Sequence, residues 1–304
     1  MQIKKVYIDG RNLLDNELIE KHSFIELVNS DVDADIIISQ STVKNIDLIH
    51  KTIYIAAEPP RTEHRIWCYS NFNKFKFVVC RNAKNLNEIN FTPDDSTQYY
   101  PTKPDAYIQE RKDLTLKNRG IFFAGIMNTY ENIRDECGGY SITHLRRIMA
   151  EYFSEKLPAS KFMGIGWNGQ TEKAQRWRKD KHDKIKEYDV DFVLALENTI
   201  HSNYISEKIW DGINSDRVTL YLGDPNIEKH IPLNCFIDLR PYYNLETREF
   251  DLNKLYNRLI SLTQKEYNEI IYNSREFRKT CEGKHSYYRN LLTEKIIKFI
   301  VYES

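Results

Sequence analysis

A chain of 304 residues exceeds the usual size of one domain, so two domains are the expectation. Its 44 basic and 44 acidic residues cancel, and no global field draws it to nucleic acid or to an anionic membrane. A hydrophobic fraction of 41% with mean hydropathy −0.61 describes a soluble globular protein with no long apolar span. Five scattered cysteines without a CxxC pair read as reduced cytosolic thiols and imply no zinc site.

The first part of the chain alternates short apolar runs with polar helical stretches; the runs are Lys5–Asp9, Ala34–Ser39, Thr52–Ala57 and Phe75–Cys80. Such alternation predicts a small α/β unit with a mostly parallel sheet. Glu58 tops the third run, and Pro59-Pro60 stops the sheet from continuing; Glu63 and His64 lie close by. From Thr92 to Asp105 the chain turns irregular and proline-bearing, which places a linker near residues 100–118. A second α/β series begins at Gly120–Ile126. Helical stretches near 141–156 and 171–188 bracket a strand at Phe162–Gly166. Further strands are expected at Phe192–Leu196, Val218–Leu222 and Cys235–Leu239, and helices at Glu249–Thr263, Glu266–Thr280 and Tyr287–Glu303.

The continuous apolar run Phe192–Leu196 suits a buried parallel strand that stops at polar Glu197 and Asn198, the end where open α/β sheets bind ligands. Ser202 or Asn203 can cap a following helix, with Ile205, Ile209 and Ile213 facing inward. Tyr204, Glu207, Lys208 and Asp211 then share another face. Spacing alone fits either a solvated Glu-Lys edge or a Lys208 placed beside an anionic ligand. Two other patterns carry bland and sharp readings. Asp31-Val32-Asp33 and Asp189-Val190-Asp191 match an Asp-x-Asp metal pattern, but that pattern is common by chance and no metal site is assigned. The basic run Glu172–His182, with Trp177 inside it, reads either as a solvated helix face or as a nucleic-acid contact.

The order Glu197-Asn198-Thr199, Tyr204-Ile205-Ser206-Glu207-Lys208, Val218–Gly223, Pro225-Asn226-Ile227-Glu228, Pro232 and Cys235-Phe236-Ile237-Asp238 resembles the signature of the family 10 glycosyltransferases, the α1,3/α1,4-fucosyltransferases. Leu196 stands where the family has phenylalanine, Thr219 where it has proline, and Asn203 where relatives often have Gly or Asp. The first hundred residues match only thinly.

The resemblance implies an α/β fold of the glycosyltransferase-B type, two Rossmann-like domains with an interdomain cleft. It implies an acceptor-binding domain over 1–115, a nucleotide-sugar-binding domain over 116–286, and a helix over 287–304 that crosses back to the first domain. The implied reaction is inverting transfer of a sugar, L-fucose from GDP-fucose, to the hydroxyl of a glycan or another acceptor. Glu58 is then the general base, with Glu63 and His64 as alternatives, while Arg146 and Lys208 take up the charge on the departing diphosphate; Arg147 is a rival to Arg146. Asn198, Tyr204 and Glu207 line the donor pocket with Arg146 and Lys208. No metal or resident cofactor is expected, the GDP-sugar being a co-substrate. Relatives of the Golgi type carry a membrane anchor at their amino end, and none is read here, so a bacterial or viral cytoplasmic enzyme is expected. Transfer of another sugar to a modified DNA base by a phage enzyme, and an inactive nucleotide-sugar-binding module, are the rival readings.

Overall fold

The computed structural model describes residues 2–9, 14–39, 46–56, 77–80, 110–124, 140–163, 177–200, 204–281, 293–294 and 296–303. The chain divides into two compact units. One comprises Met1–Tyr99, Ile133–Gly139 and Gly283–Ser304, the other Tyr100–Asn132 and Tyr140–Glu282.

The first unit contains β1 (Lys4–Asp9), α1 (Asn16–Glu20), β2 (Ile25–Leu27), β3 (Ile36–Ser39), β4 (Thr52–Ala56) and β5 (Phe77–Cys80). Its sheet has the order β2-β1-β3-β4-β5, with every pairing parallel. The four apolar runs of the sequence are β1, β3, β4 and β5. The additional edge strand β2 is three residues long, too short to show a period. Strand β3 is buried along its whole length, as a parallel strand covered on both faces must be. Val6, Ile19, Ile36, Ile38, Ile53 and Ile55 form the core together with Ile296, Ile297 and Ile300, the last lying in the π-helical turn Phe299–Glu303.

The second unit contains β6 (Ile121–Ala124), β7 (Tyr140–Ser141), α2 (Thr143–Lys156), β8 (Lys161–Met163), α3 (Trp177–Glu187), β9 (Phe192–Leu196), β10 (Thr199–Ile200), α4 (Lys208–Asn214), β11 (Val218–Leu222), β12 (Ile237–Asp238), α5 (Leu252–Ser261) and α6 (Gln264–Thr280). Its main sheet, β12-β11-β9-β6-β8, is also parallel throughout. Counted among the five strands of this sheet and read from the β8 edge, this order is 2-1-3-4-5, the same as in the first unit and one of the common doubly wound orders. Alternate residues serve opposite faces. Phe123, Leu194 and Leu196 join α2, α5 and α6 in one core, while Phe122 and Val193 meet Ile185 of α3 in the other.

One expected strand is described only in part and another is trimmed. Strand β8 covers Lys161–Met163, while residues 164–166 lie outside the described set. Of Cys235–Leu239 only Ile237–Asp238 pairs, because Leu233–Cys235 winds into a 3₁₀ turn. The last two long helices start where side chains satisfy their first N–H groups. Asp251 accepts from Lys254 N at 2.8 Å, and Thr263 with Glu266 forms a reciprocal capping box ahead of α6. No helix among the described residues is long and apolar enough to cross a membrane.

Helix α4 packs on β9 and β11 through Gly212. A Cβ there would collide with Thr219 Oγ1 and lie 3.0 Å from Thr219 Cβ. Gly212→Ala is therefore expected to cost about 1–3 kcal/mol, the usual penalty of overpacking, despite alanine's better helix propensity. The shift of the urea midpoint measures it; an unchanged or raised midpoint would contradict the close approach.

Candidate active site

Strand β9 lies between β6 and β11, so its carboxyl end is central in the sheet. It also borders the β6–β9 switch point, where doubly wound sheets bind ligands. Three consecutive residues at that end organise the site. Arg146 of α2 is 8% exposed; its Nη2 donates to Leu196 O at 2.6 Å and to Asn198 Oδ1 at 2.9 Å. Asn198 Nδ2 donates to Tyr204 Oη at 3.3 Å, so one amide joins the arginine to the tyrosine. Between them, Glu197 is fully buried. Its Oε1 accepts from Ser206 N at 2.7 Å, and its Oε2 accepts from Ser206 Oγ at 2.6 Å and from Lys208 Nζ at 3.2 Å. Lys208 Nζ also donates to Ser206 Oγ at 2.7 Å and lies 3.9 Å from Glu207.

Arg146, Lys208, Asn198, Tyr204 and Glu207 are thus brought to one end of one strand or to the segment that follows it. Arg147 faces outward and pairs with Glu151 one turn away at 2.9 Å. Glu58, with Glu63 and His64, lies outside the described residues, as do Ser202 and Asn203.

The helix is shorter than its sequence suggests. It begins at Lys208, because the N–H and hydroxyl of Ser206 are taken by Glu197 and residues 204–206 lie outside the helix. Tyr204 therefore does not share a helix face with Glu207, Lys208 and Asp211. Asp211 turns the other way, into a fully buried ion pair with Lys181 of α3. The basic run around Trp177 is accordingly no simple solvated face, since one of its lysines is internal. The Asp-x-Asp at 189–191 is structural at its second carboxylate. Asp191 Oδ2 accepts the backbone N–H groups of Lys117, Asn118 and Arg119 at 2.7–3.1 Å and holds Arg119 in a left-handed conformation, φ 57°. It precedes β9, at the end opposite Glu197.

Sequence reasoning passed over Glu197, although its signal was present in a charged residue directly after a fully apolar strand. Burial pushes its carboxyl up, while Lys208 and the Ser206 bonds pull it back. Around it the signature supplies walls. A Cβ on Gly223 would collide with Glu197 Cγ and lie 2.5 Å from Tyr221 Oη, so only glycine fits there. Tyr221 Oη accepts from Asp224 N at 3.0 Å, and Asp224 Oδ1 accepts from Asn226 N at 2.9 Å. Arg240 spans Asp238, Glu228 and Pro225 O, tying the Pro225–Glu228 turn to the end of β12.

The unit is thus a doubly wound parallel sheet with two cations gathered at the end of a central strand. Residues 143–280 match the family described as glycosyltransferase family 10 (fucosyltransferase), C-terminal region. An alpha-(1,3)-fucosyltransferase of Helicobacter pylori is 28% identical over 121 residues, which span 40% of this chain and 23% of that protein. An alpha-(1,4)-fucosyltransferase of Arabidopsis thaliana is 33% identical over 63 residues, spanning 21% of this chain and 15% of that protein. Among solved structures, an alpha1,3-fucosyltransferase with GDP superposes with a TM-score of 0.53 at 15% identity, covering 89% of this chain and 82% of that one. The same enzyme type with GDP-fucose gives 0.52 at 14% identity, with coverage of 89% and 82%. The fold is the α/β glycosyltransferase-B type.

Two stability measurements follow from this geometry. Arg147→Ala should stay within about 0.5 kcal/mol of wild type, as exposed i,i+4 pairs do, whereas Arg146→Ala leaves Leu196 O and Asn198 short of a buried donor and should cost about 1–3 kcal/mol. Equal urea midpoints for the two variants would refute the assignment of Arg146 to the interior.

The second measurement concerns pH. Burial pushes Asp211 from its ordinary value of 3.8 up to about 6, with Lys181 opposing the rise. Since the folded value exceeds the unfolded one, the folded state holds the proton longer, and this group's contribution weakens as pH climbs from about 4 through 6. In Lys181→Met the opposing charge is gone, so the loss should grow to about 3–5 kcal/mol in the alkaline range and shrink at pH 5. A penalty independent of pH would contradict the pairing.

Proposed function

We propose that the chain is an inverting glycosyltransferase that moves L-fucose from GDP-fucose to the hydroxyl of a glycan or another acceptor. One observation carries this reading. Arg146 and Lys208, from different helices and both within the family-matched segment, are held at the same strand end, where a sheet of this order binds its ligand. Two fixed cations suit a leaving nucleoside diphosphate, whose charge grows as the bond to the sugar breaks; donors already in place need no reorganisation at that moment. Solved structures of the same fold with GDP and with GDP-fucose support the choice of donor.

In this reading Glu207 accepts hydroxyls of the donor, and Asn198 and Tyr204 complete the pocket wall. Charge neutralisation by Arg146 and Lys208 makes a metal unnecessary, and one oxygen of the Asp191 carboxylate, Oδ2, is already occupied by three backbone N–H groups. Glu58, which follows β4 in the first unit, takes the proton of the acceptor hydroxyl as that oxygen attacks the anomeric carbon. The buried thiols Cys235 and Cys281 suit a reducing compartment, and we place the reaction in the cytoplasm.

A thermal-shift screen of nucleotide sugars, followed by a transfer assay, tests the reading. GDP and GDP-fucose should raise the melting temperature more than UDP-sugars, and turnover should persist in excess chelator. Lys208→Ala should lose roughly 2–4 kcal/mol of transition-state stabilisation, and Glu58→Gln about 10²–10⁴-fold in transfer rate with little change in donor affinity. Wild-type turnover by Lys208→Ala at saturating donor, or complete dependence on added manganese or magnesium, would overturn it.

A further inference from the structure

Lysine is a flexible tether with a point charge at its tip, and a donor site that counts on one must hold the tip still. The Lys208 side chain is one-fifth exposed, and the carboxylate it reaches, on Glu197, is fully buried. That carboxylate is itself immobilised. Ser206 donates to it twice, from N at 2.7 Å and from Oγ at 2.6 Å, and Gly223 and Tyr221 close the space into which its stem could swing. Glu207 also approaches Lys208, but at 3.9 Å and with its own side chain 21% exposed, so it offers a looser hold.

We propose that Glu197 is a positioning residue of the donor site, its carboxylate fixing the Lys208 ammonium at the carboxyl end of β9. It touches no reacting atom and acts through the lysine. A buried carboxylate that served packing alone would need its charge met from any side; here the partner is the one cation of α4 that opens toward solvent at the strand end. The effect on turnover rests on the donor role given to Lys208 above, whereas the anchoring of its ammonium does not.

Two readouts separate these claims. In protein labelled with ¹⁵N-lysine, the Lys208 ammonium, identified by its loss in Lys208→Ala, should give a slowly exchanging signal that collapses toward the bulk lysine position in Glu197→Gln. Glutamine keeps an oxygen for Ser206 N, so the fold should be retained, and a melting curve checks it. An unchanged ammonium signal in Glu197→Gln, or none in the wild type, overturns the proposal whatever the donor proves to be. In the transfer assay, Glu197→Gln should lower kcat by about 10–100-fold, yet change it less than about twofold when Lys208 is already alanine, since residues acting as one unit are not additive. Additive losses overturn the proposal while leaving the fucosyl-transfer reading intact. Absence of transfer from any nucleotide sugar by the wild type defeats that reading alone, and the ammonium signal then decides the anchoring. Should Glu197→Gln not fold, Glu197→Asp, which keeps the charge but withdraws it by one methylene, carries the same two readouts.

Discussion

A strand paired on both sides in a sheet is among the most rigid positions available to a protein, and the second unit hangs its polar machinery on the end of one. Leu196 contributes a carbonyl, Glu197 a buried carboxylate and Asn198 an amide. The first and third accept from Arg146 of α2, and the second accepts from Lys208 of α4. Arg146 and Lys208 are therefore referenced to adjacent residues at one strand end instead of to each other, so motion of α2 or α4 is resisted at one place. The carboxylate accepts a desolvation cost for this, which Lys208 and two Ser206 donors offset. Without that triplet the fold could persist as a sheet, but the two charges would have no fixed separation.

Much of the fucosyltransferase-like signature turns out to be scaffold for this strand end. Gly223 is required by the closeness of Glu197 and Tyr221, and the aspartate after it is buried to shape the turn. Glu228 and Asp238, ten residues apart, meet on one arginine, Arg240. Charged motif residues are thus shared between those that face solvent at the strand end and those that keep the loops after β11 and β12 in register.

What could be read in the sequence follows physical lines. Phe192–Leu196 and Val218–Leu222 announced themselves because strands buried on both faces are apolar at nearly every position, Thr219 being the exception here. Thr263 and Glu266 carry a local capping signal that needs no tertiary context. Elements of two or three residues, such as β2, β7 and β10, hold too few side chains for any period to emerge. The start of α4 was misplaced because Ser206 is claimed by Glu197, a partner nine residues earlier that local capping rules do not see. Arg146 and Arg147 are indistinguishable as letters; only the helix phase relative to β9 buries one and exposes the other. Lys181 is the same lesson in reverse, a lysine within a charged run that is buried in an ion pair with Asp211 of α4.

The core of the first unit also fixes an order of events. Its sheet is encoded in the opening third of the chain, yet Ile296, Ile297 and Ile300 fill that core from residues made after the whole second unit. During synthesis the second unit can close around its sheet while the first still lacks part of its apolar lining. The earlier-made unit is thus the later to mature, with its strands awaiting cover during translation, when unpaired edges and bare apolar faces invite chaperones or neighbours.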